Sequence, residues 1–249
     1  MPAAVFFDLD RTLLAGASGP VISKHLREVG LLPERSIPGE GLVFGIFNLV
    51  GENRPSMMLT RQMAKAAAGW SVDDARAAGE AAAEELDEQV QPYARVLIDS
   101  HHEEGRAVVL ATTTPYDLID PLARRLGLDG VVATRYEERD GRYTGGIDGP
   151  FVWGKGKLDA VRTWAADHDV ELSDSWAYSD SYYDAGLLGA VGHPVAVNPD
   201  PRLSLIATLR RWPIIYLDVP PGVPKVAGLI EPQKLLMPLV RPELVPFAR

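Results

Sequence analysis

Two carboxylates follow the first apolar run of the chain. The residues Val5–Phe7 are typical of a buried β-strand, and Asp8 and Asp10 come at its end, with Thr12 shortly after. Where a strand ends and the chain begins to turn, two side chains one residue apart can converge on one point. Converging carboxylates repel each other unless a cation or a shared proton lies between them. The pattern therefore indicates a cation-binding or proton-sharing site at the end of this strand.

Four runs of mainly apolar residues have the length and composition of β-strands. Helix-like segments of about a dozen residues, with apolar residues at helical spacing, separate these runs. This alternation is typical of a parallel sheet with helices on both faces. We therefore predict an α/β fold with a doubly wound, mostly parallel sheet. The predicted strands cover 4–7, 107–111, 176–179 and 194–198, and a turn at Asp140–Gly141 predicts a β-hairpin over 131–148.

The alternation is interrupted between residues 17 and 91, where the patterns are helical and no strand is predicted. We expect a core made of residues 1–16 and 92–211, with an inserted all-helical cap at 17–91. Hinges are expected near Ala15–Gly19 and Gln91–Pro92. Residues 212–249 are rich in proline, which excludes a long regular element. They are predicted to form an extension that lies along the body of the protein, or a linker.

Ligands of parallel α/β sheets bind beyond the carboxyl ends of the strands. The polar residues that follow each predicted strand are therefore the candidate site residues. Oxygen ligands without sulfur favour Mg²⁺, which usually keeps several waters and also binds substrate phosphate oxygens. The candidates are Asp8 and Asp10, Thr112, Thr113 and Thr114, Ser179, Asp180 and Asp184, and one lysine at a helix start, Lys155 or Lys157.

Four motifs in this order resemble the signatures of the haloacid dehalogenase superfamily: FDLDRTLL, LATTTP, GKGKLDAV and YSDSYYDAGLL. The resemblance is strongest to the phosphoserine-phosphatase-like branch (subfamily IB), whose members carry a helical cap after the first strand. It covers about residues 4–210. It implies a Mg²⁺-dependent phosphomonoester hydrolase that acts through an aspartyl-phosphate intermediate.

The resemblance also implies a role for each candidate residue. Asp8 would be the nucleophile. Asp10 would protonate the leaving alcohol and later activate water. Thr112 would bind a phosphoryl oxygen and Lys157 would neutralise the charge that develops there, with Lys155 as the competing lysine. Thr113 and Ser181 are expected to be further substrate contacts.

The resemblance implies that Mg²⁺ would be held by Asp8, the backbone carbonyl of Asp10, and Asp180. Asp184 would support the ion through its waters. Ser179 and Ser181 are expected to be hydrogen-bond donors around these ligands. Thr12 is expected to fix the loop that follows Asp10.

Three departures from the phosphoserine-phosphatase pattern bear on the substrate. Ala17 occupies the position where those enzymes have a glutamate that holds the substrate ammonium, and Tyr182 and Tyr183 precede the last acid of the fourth motif. The cap also contains the apolar run GLVFGIFNLVG at 41–51. We expect a small phosphorylated metabolite or a lipid phosphate, such as a glycerol phosphate, a lysophosphatidate-like compound or a phosphoserine-like ester.

Composition excludes several other functions. The formal net charge is −9 without a basic run, which argues against a nucleic-acid partner. The chain has no cysteine, so disulfides and thiolate chemistry are excluded. The N-terminus does not resemble a signal peptide, and no apolar stretch is long enough for a membrane helix. We therefore expect a cytoplasmic protein without a transmembrane segment.

Two other functions stay open at this point. A phosphotransferase would use the same intermediate and pass the phosphoryl group to an alcohol. A module of low activity would keep the site and serve a partner protein. The tail after Trp212 resembles the linker of fusions between haloacid dehalogenase and glycerolipid acyltransferase domains. It could therefore join an acyltransferase domain or contact a homodimer partner.

Overall fold

The computed structural model of the chain describes residues 3–34 and 54–218, and the apolar run at 41–51 lies outside the described residues. The strands are β1 (Ala4–Phe7), β2 (Ala107–Pro115), β3 (Gly130–Arg139), β4 (Arg142–Asp148), β5 (Trp176–Ser179), β6 (His193–Val197) and β7 (Ile214–Ile215). The helices are α1 (Gly19–Glu28), α2 (Arg54–Ala66), α3 (Val72–Asp87), α4 (Pro92–Glu103), α5 (Tyr116–Arg125), α6 (Lys155–Asp167), α7 (Ala185–Leu188) and α8 (Pro201–Arg210).

The strands form a single sheet in the order β4-β3-β2-β1-β5-β6-β7. Every neighbouring pair is parallel except β3 and β4, which form an antiparallel hairpin. Parallel neighbours need crossover connections, and helices supply most of them. The predicted α/β fold with a mostly parallel sheet is therefore confirmed.

The first strand lies in the middle of this sheet and is buried on both faces. Val5 and Phe7 pack into one core cluster, and Ala4 and Phe6 pack into the other. The ring of Phe7 stacks on that of Tyr178 in β5, with 4.4 Å between the ring centroids. β1 is paired with β2 on one side and β5 on the other. The residues that follow these three strands therefore meet beyond the carboxyl ends of the strands, here called the carboxyl edge of the sheet.

Two strands differ from the sequence prediction by more than one residue. β2 continues past Ala111 to Pro115 because it keeps pairing with β3 across a register shift between Thr112 and Pro115. β7 lies in the proline-rich extension, where no strand was predicted. Its two residues pair with Ala196 and Val197 at the edge of the sheet, where a neighbouring proline costs no ladder hydrogen bond.

The predicted hairpin is present at the other edge of the sheet. Asp140 and Gly141 form its turn with φ values of 51° and 74°. Positive φ at both central residues is what a type I′ turn requires. The first half of β3 also pairs in parallel with β2, so the hairpin is an extension of the main sheet.

Helices α1, α2 and α3, here called the helical insert, are contributed by the segment between β1 and α4. Helix α3 packs against α5 and against α1. The two connections of the insert lie side by side, because Leu14 and Val90 form an antiparallel bridge. The division into a core and a cap at residues 17–91 stays a prediction. Over residues 3–34 and 54–218, no helix is both long and apolar enough to cross a membrane.

Candidate active site

The ends of β1, β2 and β5 bring most of the predicted site residues to one edge of the sheet. The backbone N–H of Asp8 donates to the carbonyl of Tyr178 at 2.9 Å, which ties the end of β1 to β5. The backbone N–H of Asp180 donates to Oγ1 of Thr12 at 3.0 Å. Thr12 therefore links the loop after Asp10 to the loop after β5, consistent with the loop-fixing role expected of it.

A buried lysine connects two of the carboxylates. Nζ of Lys157 donates to Oδ1 of Asp8 and to Oδ2 of Asp184, at 2.7 Å in each case. The side chains of Lys157 and Asp184 have no exposed surface. Because each of these buried charges is stabilised by its partner and not by water, the ion pairs are expected to hold a fixed geometry. The three side chains form the centre of the candidate site.

The two candidate lysines have different surroundings. The side chain of Lys155 is 87% exposed and contacts Asp159 one turn further along α6, at 2.5 Å. Residues two positions apart on a helix face different directions, so only one of the two can point into the sheet edge. The first turn of α6 packs closely against the backbone of Phe151, since a Cβ at Gly156 would lie 2.1 Å from the carbonyl oxygen of that residue. Lys157 is the lysine that lies among the acids.

Burial changes the proton affinity of the two acids that follow β1. Desolvation raises the pKa of Asp8 to about 6, against the lowering effect of Lys157, while the charge of Asp184 raises it further. Desolvation also raises the pKa of Asp10, although the backbone N–H of Ser18 lowers it by donating to Oδ1 at 2.6 Å. A carboxyl group with a raised pKa can hold a proton closer to neutral pH, which is a property of general acids.

The predicted hydroxyl groups all have protein partners. Oγ of Ser179 donates to Oδ2 of Asp184 at 2.8 Å. Oγ1 of Thr113 donates to the carbonyl of Val152 at 2.8 Å, so its proton is engaged within the protein. Thr112 is buried, and its Oγ1 accepts from the backbone N–H of Thr114 at 3.2 Å. Oγ of Ser181 accepts from the N–H of Tyr183 at 3.2 Å and caps the turn that carries Asp184.

The sequence prediction missed two charged residues around Asp180. Nε of Arg11 lies 3.1 Å from Oδ2 of Asp180, and Arg11 has a φ of 60°, in the left-handed region. Asp200 accepts from the N–H of Tyr182 at 2.7 Å, and its own N–H donates to the carbonyl of Asp180 at 2.8 Å. For Arg11, the only signal in the sequence was its position as a charged residue inside the first motif. For Asp200 there was none, because its contacts join two loops.

The oxygen atoms at this edge suit a hard divalent cation. Oδ1 of Asp184 is buried and has no hydrogen-bond partner among the described residues. Within residues 3–34 and 54–218, no group of three or more histidine, aspartate or glutamate side chains is arranged to hold an ion unaided. Mg²⁺ is commonly bound by one or two carboxylates together with water and substrate oxygens, and that donor set is available here.

The mostly parallel sheet, with a buried carboxylate–lysine cluster at the carboxyl ends of its strands, is an α/β fold with a candidate active site at that end. A model of the haloacid dehalogenase-like hydrolase family matches residues 5–189. The chain belongs to this family, as the four motifs predicted.

Two relatives of this chain are named as phosphatases. The phosphoserine phosphatase SerB1 of Mycobacterium tuberculosis is 38% identical over 217 residues, which are 86% of this chain and 70% of that protein. The histidinol-phosphatase of Neisseria meningitidis is 29% identical over 219 residues, which are 86% of this chain and 99% of that protein. The chain is therefore a phosphoric monoester hydrolase of the haloacid dehalogenase type, which confirms the predicted enzyme class.

A solved structure shares the fold. A protein of unknown function from Bordetella pertussis has 30% sequence identity to this chain and a TM-score of 0.73. The match covers 87% of this chain and 99% of that chain. The fold described above is thus shared over nearly the whole length of that protein.

Proposed function

We propose that the chain hydrolyses a small phosphate ester in the presence of Mg²⁺, through an aspartyl-phosphate formed on Asp8. A carboxylate oxygen of Asp8 attacks phosphorus, the bond from phosphorus to the ester oxygen breaks, and Asp10 gives a proton to the departing alcohol. Asp10 then takes a proton from water, whose oxygen attacks phosphorus and releases inorganic phosphate and Asp8. The observation that carries the proposal is the buried contact of Lys157 with Asp8.

The geometry supports this division of roles. Asp8 is held at the end of a central strand, and Lys157 supplies a positive charge next to it without competing water. A fixed charge in a dry site stabilises the charge that develops in a transition state more effectively than a solvated one. The raised pKa of Asp10 suits a group that must give up a proton and later take one back.

The proposed metal ligands are Asp8, the backbone carbonyl of Asp10, and Asp180, with Asp184 joined to Asp8 through Lys157. The buried and unpartnered Oδ1 of Asp184 favours a cation or its water shell at this position. When bound, the ion supplies positive charge that offsets the repulsion between an anionic nucleophile and an anionic phosphate.

The substrate is proposed only as a class. The two named relatives act on different phosphate esters, phosphoserine and histidinol phosphate, according to their names. Ala17 is buried and offers no charge for a substrate ammonium. The aromatic rings of Trp153 and Tyr183, 4.6 Å apart, lie beside the start of α6. A glycerol phosphate, a lysophosphatidate-like ester and a phosphoserine-like ester are the candidates to compare, with the proposed cap at 17–91 covering the site.

The test is a screen of these phosphate esters with Mg²⁺ for the wild type, Asp8→Asn and the control Asp167→Asn, whose side chain is exposed at the end of α6. We expect inorganic phosphate from the wild type and the control. Asp8→Asn should lose nearly all turnover, because no other group can form the covalent bond at that position. Retained turnover in Asp8→Asn would contradict the proposal. Phosphate transfer to an added alcohol without matching release of inorganic phosphate would instead identify a phosphotransferase.

A further inference from the structure

Two connections join the helical insert to the rest of the protein. The second, between α3 and α4, ends at Gln91, next to the loop that follows β1 and carries Asp10. The backbone N–H of Gln91 donates to the carbonyl of Leu13 at 2.8 Å, and the N–H of Ala15 donates to the carbonyl of Gln89 at 3.0 Å. These bonds continue the bridge between Leu14 and Val90. Gln91 is thus held against the first connection by its backbone.

The side chain of Gln91 makes a second set of contacts with the same loop. It is buried, with 2% of its surface exposed. Its Nε2 donates to the carbonyl of Thr12 at 2.6 Å, and lies 3.3 Å from the carbonyl of Leu14 and 3.4 Å from that of Arg11. The orientation of the amide is determined by these partners, because a reversed amide would place Oε1 against carbonyl oxygens.

A second amide holds Gln91 in place. Nδ2 of Asn198, which follows β6, donates to Oε1 of Gln91 and to the carbonyl of Arg11, at 3.1 Å in each case. The loop turns sharply here, since φ is −69° at Asp10 and 60° at Arg11. Carbonyl groups in such a turn have no sheet partner and need donors from elsewhere. Gln91 and Asn198 supply those donors.

We infer that Gln91 is a positioning residue, which fixes the loop after β1 so that the carboxyl group of Asp10 meets the ester oxygen. The inference rests on the proposed function, because it takes Asp10 to be the general acid. The carbonyls bound by Gln91 belong to the two residues directly after Asp10 and to Leu14. A displacement of about 1 Å at a reacting group can cost about 100-fold in rate. Gln91 also makes the geometry of Asp10 depend on the connection that holds the helical insert.

Leaving-group dependence separates a positioning role from a structural one. An alkyl phosphate needs a proton on its departing oxygen, whereas p-nitrophenyl phosphate leaves as a stable phenolate and needs little help. The value of kcat/KM reports the steps up to departure of the alcohol. For Gln91→Met we expect a loss of about 10- to 100-fold with the alkyl ester and of no more than about threefold with the aryl ester. Gln89→Met, in the same connection, is the matched control and should change neither value appreciably.

Equal losses for both esters, or no loss for either, would overturn the inference. If Gln91→Met does not fold, Asn198→Asp serves as the second variant, because it removes the Nδ2 donor at nearly constant size. It should show the same selective loss for the alkyl ester. Asp8→Asn measured in parallel distinguishes the two claims. If that variant is inactive and the losses in Gln91→Met are equal, the proposed function stands and the positioning role fails.

Discussion

Lys157 shows how a single residue can stabilise the site and take part in its chemistry. A buried ammonium group loses its hydration, and only close carboxylates can compensate for that loss. Lys157 has two such partners: Asp184, whose side chain is fully buried, and Asp8, whose side chain is 9% exposed. Removal of the lysine would leave two carboxylates close together without a cation.

We therefore expect Lys157→Met to lower the free energy of unfolding by about 3–5 kcal/mol, as for other broken buried ion pairs. Urea denaturation in the presence of EDTA measures the change. Turnover should also fall by about 100-fold or more, because the charge beside the phosphoryl group is lost. The control is Lys155→Met, whose side chain is 87% exposed and which should be nearly neutral. A stable Lys157→Met protein would show that the two acids do not depend on this charge.

The raised pKa of Asp8 predicts a dependence of stability on pH. Its pKa is about 6 in the folded protein against 3.8 for an ordinary aspartate. Between these values the folded protein binds more protons than the unfolded chain, so stability falls as pH rises from about 4 to about 6. Above pH 6 the ionised Asp8 carries its full cost, on the order of 3 kcal/mol.

Asp8→Asn removes this cost. In EDTA we expect the stability of the variant relative to that of the wild type to rise as pH increases from about 4 to about 7, on top of a loss of the contact with Lys157 that does not depend on pH over this range. Urea denaturation at several pH values provides the measurement. A difference between the two proteins that does not change over this pH range would contradict the prediction.

Contact between α3 and α5 determines where the helical insert lies against the core. The two helices approach so closely at Gly79 that a Cβ there would lie 2.6 Å from the carbonyl oxygen of Asp117. Asp117 also accepts from Tyr143 in β4 at 2.8 Å and from Nε of Arg76 in α3 at 2.9 Å. A glycine on one helix and an aspartate on the other thus join α3, α5 and β4.

Gly79→Ala has two opposing effects on the stability of the protein. Alanine improves helix propensity by about 1 kcal/mol, but a Cβ that meets backbone atoms forces the helices apart at a cost of about 1–3 kcal/mol. We expect net destabilisation by about 1 kcal/mol in urea denaturation, because backbone atoms cannot move aside as a side chain can. Ala81→Gly, on the exposed face of the same helix, measures the propensity effect alone. A stabilised Gly79→Ala protein would mean that α3 can move away from α5 without loss.

Folding of the whole chain creates the proposed metal site, since only the pairing of β1 with β5 brings Asp8 and Asp180 to the same end of the sheet. An ion that binds the folded protein alone stabilises it in proportion to the logarithm of its concentration. We expect Mg²⁺ at about 100 times its Kd to raise the free energy of unfolding by about 2.7 kcal/mol.

The thermal unfolding midpoint in Mg²⁺, compared with NaCl at equal ionic strength, measures this effect. Asp180→Asn should lose most of the shift, whereas Asp167→Asn, an exposed control, should keep it. Equal shifts in the wild type and Asp180→Asn would show that Mg²⁺ stabilises the protein at another place.

Much of the fold could be read from local patterns. The apolar runs of β1 and β5 and the Asp-Gly turn between β3 and β4 were predicted at their observed positions, because burial and turn geometry act on neighbouring residues. The same local signals predicted the acids after β1 and β5, whereas the threonines predicted to follow Ala111 lie within the longer β2. The convergence of these side chains followed from a general property of parallel sheets. β7 was missed because a two-residue strand depends entirely on the edge that it joins.

By itself, the sequence determined which residue types end each strand, and therefore the kind of chemistry at the site. The tertiary structure decided how those residues are used. It placed Lys157 rather than Lys155 between the acids, directed the proton of Thr113 to Val152, and brought Arg11, Gln91 and Asn198 around the loop of Asp10. These outcomes depend on contacts between residues that are far apart in the chain, and the helical and strand periodicities of a sequence carry no record of such contacts.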